Sequence, residues 1–251
     1  MESCAGSPLR GALRRARPFA PWLAAALSLA ALSLTRPAVA ENRIEVTPGI
    51  LVTARAYDAV PANEAPFFNF VDKDAHRKAI DAAFVADVLN AIPDRSAAAD
   101  AVAQSGWRAL GEGDAATAAR RFNQAMLLDP RRSAIYHGFA IIAARRFLDY
   151  DYADELLRLA AALDGALPTL AADHGRLLVI AGRPQAARPL LDKAVAHTTG
   201  WAEQRANLAW AAMAYGNAGR ACHIAAQIGG REHAAVAADL ALLRRKAKCA
   251  S

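Results

Sequence analysis

Two short stretches of this sequence contain residues that could bind a nucleotide or a metal ion. GEGDAA, residues 111–116, has the spacing of a dinucleotide-binding loop, but such a loop follows a β-strand and the preceding AQSGWRAL favours a helix. DYDYADE, residues 149–155, has acidic residues like those of a calcium loop but lacks its glycine and terminal glutamate. We therefore interpret the first as a turn between helices and the second as the acidic start of a helix, with Tyr150 and Tyr152 exposed.

The histidines and serines of the chain do not form a recognisable catalytic or metal-binding pattern. No two histidines have zinc-ligand spacing with an intervening glutamate, and no serine lies in the strand-to-helix turn of a hydrolase nucleophile. We therefore predict a protein without catalytic residues, a bound metal or a cofactor. The six histidines are His76, His137, His174, His197, His223 and His233.

The composition favours a helical protein. Hydrophobic residues, with many alanines among them, make up 55% of the chain, whereas aromatic residues make up only 7%. Alanine is the strongest helix former because its side chain loses no rotamer freedom in a helix. Charged residues at 22%, without long runs of one sign, argue against a disordered chain. The chain therefore has the makings of one large helical domain or two small ones.

The first forty residues have the layout of a secretory signal peptide. Four arginines up to Arg17 precede a mostly apolar run at Trp22–Leu34, and the small residues Ala38–Ala40 suit signal peptidase. This run is shorter than the roughly 20 residues of a membrane-spanning helix, and no cysteine near Ala40 offers a site for lipid attachment. We therefore predict cleavage after Ala40 and a periplasmic or secreted protein without a stable membrane span.

Removal of this segment changes the charge of the protein. The segment contains five arginines and one glutamate, so the formal net charge falls from +6 to +2 without it. Because most of the basic character belongs to the signal, charge gives little support to nucleic-acid binding.

A pattern of small and apolar residues repeats along the rest of the chain. Ala118, Ala153, Ala187 and Ala221 follow one another at intervals of 35, 34 and 34 residues. Two packed helices need small residues where their backbones approach and a larger apolar residue one turn later, while a glycine ends the first helix. The repeat therefore predicts a helix-turn-helix unit. Four residues after the alanines come Phe122, Leu157, Leu191 and Ala225, and the turn glycines are Gly113, Gly182 and Gly216.

On these residues the chain resembles the tetratricopeptide-repeat (TPR) family over residues 96–228. Gly106, Ala118, Phe122 and Pro130 match the motif of that family at the right separations. The stretches RANLAWAAMAYGNAGRA and AAVAADLALLRR also resemble the TPR component of tight-adherence pilus assembly. The resemblance implies an all-α solenoid of four degenerate TPR units, because one unit cannot bury its apolar face alone.

Helical caps and an N-terminal arm are expected on either side of these units. Ile80, Phe84, Val88, Leu89 and Ile92 share one face of a first capping helix, and Val236, Leu240 and Leu243 share one face of the last helix. Three prolines favour an extended arm before the first cap. The predicted organisation is a signal peptide at 1–40, the arm at 41–72, an N-terminal capping helix at 73–95, the repeats at 96–228, and a C-terminal capping helix with a basic tail at 229–251.

Two cysteines, Cys222 and Cys249, remain after signal removal. If the last two helices are antiparallel, these residues lie roughly 18 Å apart along the helix axis at ~1.5 Å per residue. A disulfide needs Cα atoms within about 7 Å. The helix reading therefore argues against a bridge unless the tail folds back.

The resemblance implies a binding groove lined by the first helix of each unit. Trp107 and Trp210 are expected to anchor a peptide or helix of another envelope protein, with Arg145 and Arg176 pairing with its acidic groups. Two alternatives stay open: both tryptophans pack between helices, or Phe67, Phe68 and Phe70 of the arm fill the groove. The predicted groove residues are Trp107, Leu110, His137, Ile141, Arg145, Arg176, Val179, Trp210 and Met213.

The function expected from this resemblance is that of a non-catalytic scaffold in the bacterial cell envelope, in pilus or secretion-machinery assembly. One competing hypothesis is a small-ligand-binding or enzymatic protein that uses the groove beneath the arm, which predicts a closed pocket with convergent polar groups. Another is self-association through stacked ends of the solenoid. The sequence identifies neither the partner nor the oligomeric state.

Overall fold

A computed structural model of the protein describes residues 42–197, 201–228 and 234–250, so the predicted signal peptide lies outside the described residues. The described chain is mostly helical and forms an all-α solenoid, as the sequence predicts. Its helices are α1 (Ala75–Ala91), α2 (Arg95–Gly111), α3 (Ala115–Leu128), α4 (Ser133–Arg146), α5 (Tyr150–Ala161), α6 (Leu170–Ile180), α7 (Pro184–His197), α8 (Trp201–Ala214), α9 (Ala218–Ala226) and α10 (Ala234–Ala247).

Helices α2 to α9 pack as four consecutive pairs joined by short turns. Three of these turns contain a glycine with positive φ, namely Gly113 at 85°, Gly182 at 76° and Gly216 at 74°. In the second pair, which has no glycine at this place, Leu148 adopts a φ of 56° and is mostly exposed. The predicted left-handed caps are therefore present, and one of them uses a residue poorly suited to that conformation.

The DYDYADE stretch is the start of α5, as expected. The Asp149 carboxylate accepts a hydrogen bond from the backbone N–H of Tyr152 at 3.2 Å and caps the helix. The expectation that both tyrosines are exposed is wrong. Tyr152 is only 2% exposed because it faces the core rather than solvent.

The seam within each pair is packed as the repeat predicts. The four repeat alanines are completely buried, and so are Phe122, Leu157, Leu191 and Ala225. The Phe122 ring also fills the space above two glycines: a Cβ atom placed on Gly138 or Gly106 would lie 2.2 Å or 2.9 Å from it. Glycine at these positions lets α2 and α4 approach α3 closely.

The two capping helices differ in how well they are buried. In α1, the side chains of Phe84, Val88 and Leu89 are only partly buried against α2 and α3, and Ile80 is 56% exposed, contrary to its predicted inward position. In α10, Val236, Leu240 and Leu243 are buried, as predicted.

The N-terminal arm is more ordered than the extended segment that its prolines suggested. Strands β1 (Arg43–Thr47) and β2 (Ile50–Thr53) form an antiparallel hairpin, and two short 3-10 segments follow at Ala62–Glu64 and Pro66–Phe70. Pro48 lies in the hairpin turn beside Gly49, which has a φ of 81°. Proline therefore does not interrupt either strand.

Cys222 and Cys249 form a disulfide, with a Cα–Cα distance of 5.5 Å. The bridge forms because the tail folds back after α10, which is the arrangement that the spacing of the cysteines requires. Lys248 has a φ of 53°, and the Cys249 N–H donates to the Arg244 carbonyl at 3.0 Å. The Arg244 guanidinium in turn donates to the Ala225 carbonyl at 2.8 Å, so the end of α10 stays close to α9.

Candidate functional site

The predicted groove residues all lie on the first helices of the pairs, α2, α4, α6 and α8; we call their shared surface, together with the adjoining face of α10, the first-helix row. Their exposure varies widely. Arg145 is exposed, whereas His137 and Trp210 have no exposed area. Leu110 and Val179 are also buried. The remaining groove residues are partly buried, namely Trp107, Ile141, Arg176 and Met213.

The burial of Trp210 agrees with the alternative that the tryptophans pack between helices. Trp210 packs in the apolar cluster of the C-terminal pairs and cannot reach a partner on the surface as the structure stands. Trp107 is intermediate: its ring packs edge-on against Phe122 and His137, yet part of it stays exposed.

A continuous chain of polar contacts begins beside Trp107 and runs along the row. The Trp107 and His137 rings have centroids 4.6 Å apart, and His137 Nε2 lies 3.0 Å from the Asp173 carboxylate on α6. Asp173 and Arg176 form an ion pair of 3.4 Å within α6. Arg176 then reaches Asp239 on α10 at 2.8 Å. A ring contact thus joins α2 to α4, and polar side chains join α4 to α6 and α6 to α10.

Three residues of this polar chain, Asp173, Asn207 and Asp239, were absent from the predicted groove. Arg176 donates a hydrogen bond to the Asn207 side chain on α8. Helical spacing could have identified the first two, because Asp173 lies three residues before Arg176 and Asn207 three before Trp210. No sequence signal indicates that Asp239 of the last helix reaches back to α6.

The environment shifts the pKa values of the two carboxyl groups in opposite directions. Burial alone raises the pKa of Asp173, but the hydrogen bond from His137 and the nearby charges of His137 and Arg176 lower it below its ordinary value. Burial raises the pKa of Asp239, and the neighbouring charge of Asp173 adds to this, although Arg176 and Arg145 oppose it. Asp239 is therefore the more readily protonated of the pair.

Four buried nitrogen atoms of the row have no hydrogen-bond partner within the described part of the chain. Buried polar groups in proteins are nearly always paired, and three further unpartnered atoms lie away from the row, on Thr53, Tyr152 and Arg183. Of the four on the row, the two indole nitrogens and Arg176 Nε are donors, whereas His137 Nδ1 carries no proton in the tautomer whose Nε2–H donates to the Asp173 carboxylate. The four nitrogens of the row are Trp107 Nε1, His137 Nδ1, Arg176 Nε and Trp210 Nε1.

An open cavity of about 440 Å³ lies at the α2–α3 end of the row. Leu110, Arg145 and Arg146 line it together with residues 113–116 of the turn before α3. The Arg145 guanidinium makes this end of the row suited to negatively charged groups, whereas Arg146 is already paired with the Glu64 carboxylate at 3.0 Å and Asp114 adds a negative charge.

The N-terminal arm does not occupy the first-helix row. Phe67 packs on the rings of Tyr136 and Phe139, with ring centroids 5.9 Å and 4.9 Å away. With 3.6 residues per turn, these two residues lie on one face of α4, whereas the groove positions 137, 141 and 145 lie on the opposite face. The hypothesis of a ligand pocket in the groove covered by the arm therefore loses its structural basis.

The buried His174 belongs to a separate polar cluster. Its Nε2 lies 2.6 Å from the Asp154 carboxylate, which also pairs with Arg158 and Arg183. These contacts join α5 to α6 and to the following turn. Within the described residues, no three histidine, cysteine or acidic side chains are placed to hold a metal ion.

Comparisons with known proteins add little to this geometry. No known family model matches the sequence, and no curated protein matches it. A chain solved in a functional characterization of Pseudomonas aeruginosa pilF is similar at 23% identity, with a TM-score of 0.45, over 61% of this chain and 71% of that one. A likeness at this level leaves the function open. None of the described helices has the length and apolar character needed to cross a membrane.

Proposed function

We propose that this protein is a non-catalytic scaffold whose first-helix row binds a segment of another protein. The observation that carries the proposal is the exposed Arg145 guanidinium beside the open cavity at one end of the row. Trp107, Ile141 and Met213 keep part of their area exposed on the same row, so it offers a partner both a charge and apolar contacts.

The charges of the row favour an acidic partner segment. The guanidinium of Arg145 is exposed and has no ion-pair partner among the described residues, whereas Arg176 is already paired with Asp173 and Asp239. The free positive charge therefore lies at Arg145, beside the open cavity. An acidic side chain there would match this charge, and apolar side chains of the same segment would match the exposed parts of Trp107, Ile141 and Met213.

The predicted groove residues take different roles in this proposal. Trp107, Ile141, Arg145 and Met213 keep exposed area and contact the partner directly. His137 and Arg176 orient the polar chain beneath it. The buried residues Leu110, Val179 and Trp210 support the surface from below, and this replaces the anchoring role expected for Trp210.

The location of this scaffold is part of the proposal. The signal-like layout of residues 1–40 and the TPR-like repeat favour a periplasmic or secreted protein of the bacterial envelope. Assembly of a pilus or of secretion machinery is a process in which such a scaffold acts, and we propose it for this protein on the sequence resemblance alone.

Site-specific photocrosslinking in the native cells tests the binding surface. A photoreactive residue at Arg145 on α4 or at Met213 on α8 samples two places on the row, and Arg121 on the exposed side of α3 is the matched control. We expect the same adduct from both row positions and none from Arg121. An adduct from Arg121 only, or no adduct from either row position, would refute binding at the row.

A further inference from the structure

The arm contains a segment that is held by main-chain recognition. We call residues 63–70 the anchor segment, and the residues that hold it on α3 and α4 the anchor site. The Asn123 amide, completely buried, donates to the carbonyls of Asn63 and Ala65 at 3.1 Å and 2.8 Å, and accepts from the Phe68 N–H at 3.0 Å. One side chain thus satisfies three backbone groups of an irregular segment, which is how peptide sites bind without regular secondary structure. The anchor site consists of Arg120, Asn123, Tyr136, Phe139 and Arg146.

The anchor site also recognises two side chains of the segment. The Glu64 carboxylate lies between two guanidinium groups, 2.6 Å from Arg120 and 3.0 Å from Arg146. Phe67, only 5% exposed, fills an aromatic pocket formed by Tyr136 and Phe139. The site therefore selects an acidic residue followed three positions later by an aromatic one.

A strained turn connects the anchor segment to the rest of the molecule. Phe67, Phe68, Asn69 and Phe70 have φ values of 56°, 52°, 55° and 54° in succession. Only glycine, and to a lesser extent asparagine, adopts this left-handed conformation readily, and three of these residues are phenylalanine. The turn leads the chain into α1 of the same molecule through only four residues, Val71–Asp74.

We propose that the anchor site binds the anchor segment of a second copy of this chain, which gives an arm-exchanged dimer. Exchange keeps the contacts of Glu64 and Phe67 with the site, because both copies have the same sequence. It also lets Phe68–Phe70 extend into ordinary backbone conformations. A short connection under strain is the feature that favours such exchange.

The packing of α1 leaves room for this movement. None of the α1 residues is fully buried, so a changed path of the preceding residues disturbs little of the core. The anchor site lies on the opposite face of α4 from groove positions 137, 141 and 145, and it shares only Arg146 with the lining of the cavity on the first-helix row. Failure of the scaffold proposal would therefore leave this inference standing.

A charge-swapped pair of variants provides the sharpest test. Glu64→Arg places an arginine between two arginines, and Arg120→Glu/Arg146→Glu places a glutamate between two glutamates, so in each variant the attraction between the arm and its own site becomes a repulsion. In a mixture, the arm of each variant is complementary only to the site of the other. We expect each variant alone to be monomeric and the equimolar mixture to contain about tenfold more dimer by light scattering after size-exclusion chromatography.

Circular dichroism of each variant checks that the helices are intact before mixing. A mixture of two folded variants that stays monomeric would overturn the proposal. If either variant is unfolded, a second test uses the wild-type sequence with four glycine or serine residues inserted after Val71. This insertion leaves the anchor site unchanged. Lengthening the connection should lower the wild-type dimer fraction about tenfold. A wild type without dimer, or a dimer insensitive to the insertion, would refute arm exchange.

Discussion

The Asp239 carboxylate of α10 lies 2.8 Å from the Arg176 guanidinium of α6, two helices back along the first-helix row. The same helix makes a second contact with α6, since Lys246 Nζ donates to the Ile180 carbonyl at 3.3 Å. The last helix therefore does more than cover the end of the solenoid. It supplies part of the polar surface that we propose binds a partner.

Replacement of Arg176 should reveal how much this contact stabilises the protein. In Arg176→Met, the Asp173 and Asp239 carboxylates face each other without their shared cation. Because both side chains of the Arg176–Asp239 pair keep some exposure, we expect a loss of about 2 kcal/mol in unfolding free energy at neutral pH, less than for a fully buried pair. Urea unfolding measures this loss, and Arg121→Met, on the exposed side of α3, is the control.

The pH dependence of that variant is a more specific test. Burial and the charge of Asp173 already raise the pKa of Asp239, and loss of Arg176 raises it further. A carboxyl group with a raised pKa favours folding while it is protonated, and that stability is lost as the pH rises through its pKa. We therefore expect Arg176→Met to approach wild-type stability as the pH falls towards 4. An equal loss of unfolding free energy at neutral pH and at pH 4 would contradict this account.

The sequence was most informative where one residue had to satisfy a local packing requirement. Ala118 and its three repeats had to be small, and Gly113 had to tolerate a positive φ, so spacing alone placed them correctly. The burial of Trp210 was harder to predict, because a tryptophan on a first helix suits both an exposed groove and a buried seam. Periodicity gives the direction of a side chain relative to its own helix but not the distance of the next helix.

Features that depend on distant parts of the chain could not be predicted in this way. The contact of Asp239 with Arg176, the return of Cys249 to Cys222 and the binding of Glu64 by Arg120 and Arg146 each join residues far apart in sequence. None of these contacts has a local propensity or a motif, because neither an ion pair nor a disulfide between distant residues leaves a periodic signal in the sequence. The Pro48-Gly49 turn is a local signal for the hairpin, because a proline in the turn does not interrupt the strand on either side.

The buried pair of His174 and Asp154 should make the protein sensitive to mild acid. Burial lowers the pKa of His174, and the charges of Arg158 and Arg183 act in the same direction, whereas Asp154 opposes them. A histidine with a lowered pKa favours folding while neutral, so its contribution is present above the ordinary pKa of about 6.5 and is lost as the pH falls. We expect the Tm of the wild type to fall between pH 7 and pH 5.

The variant His174→Gln isolates this effect from other titrating groups. Glutamine can still donate a hydrogen bond to Asp154 but does not titrate, so its Tm should fall less over the same interval. The exposed His76→Gln should follow the wild type. Parallel curves for all three proteins would show that His174 does not contribute to acid sensitivity.

The close contact of Gly138 with Phe122 predicts a large effect from adding one methyl group. Alanine favours a helix over glycine, but at Gly138 its Cβ would lie 2.2 Å from the Phe122 ring. We expect Gly138→Ala to lower the unfolding free energy by about 2 kcal/mol through overpacking. Adding Phe122→Leu to this variant should recover part of the loss. Thermal unfolding measures these changes. In the same assay Gly111→Ala should be neutral or stabilising, because a Cβ atom at Gly111 meets open space.

The disulfide should stabilise the C-terminal part of the solenoid in particular. Its cysteines are 27 residues apart, for which the loss of chain entropy in the unfolded state corresponds to about 3.5 kcal/mol. The apolar core forms separate clusters on either side of α6, and α10 packs in the C-terminal one with Trp210. We therefore expect reduction to expose α8 to α10 to proteolysis before α2 to α5. The Cys222→Ala/Cys249→Ala variant should match the reduced protein and should not respond to reductant. Uniform cleavage along the whole chain after reduction would show instead that the solenoid unfolds as one unit and that the disulfide stabilises all of it.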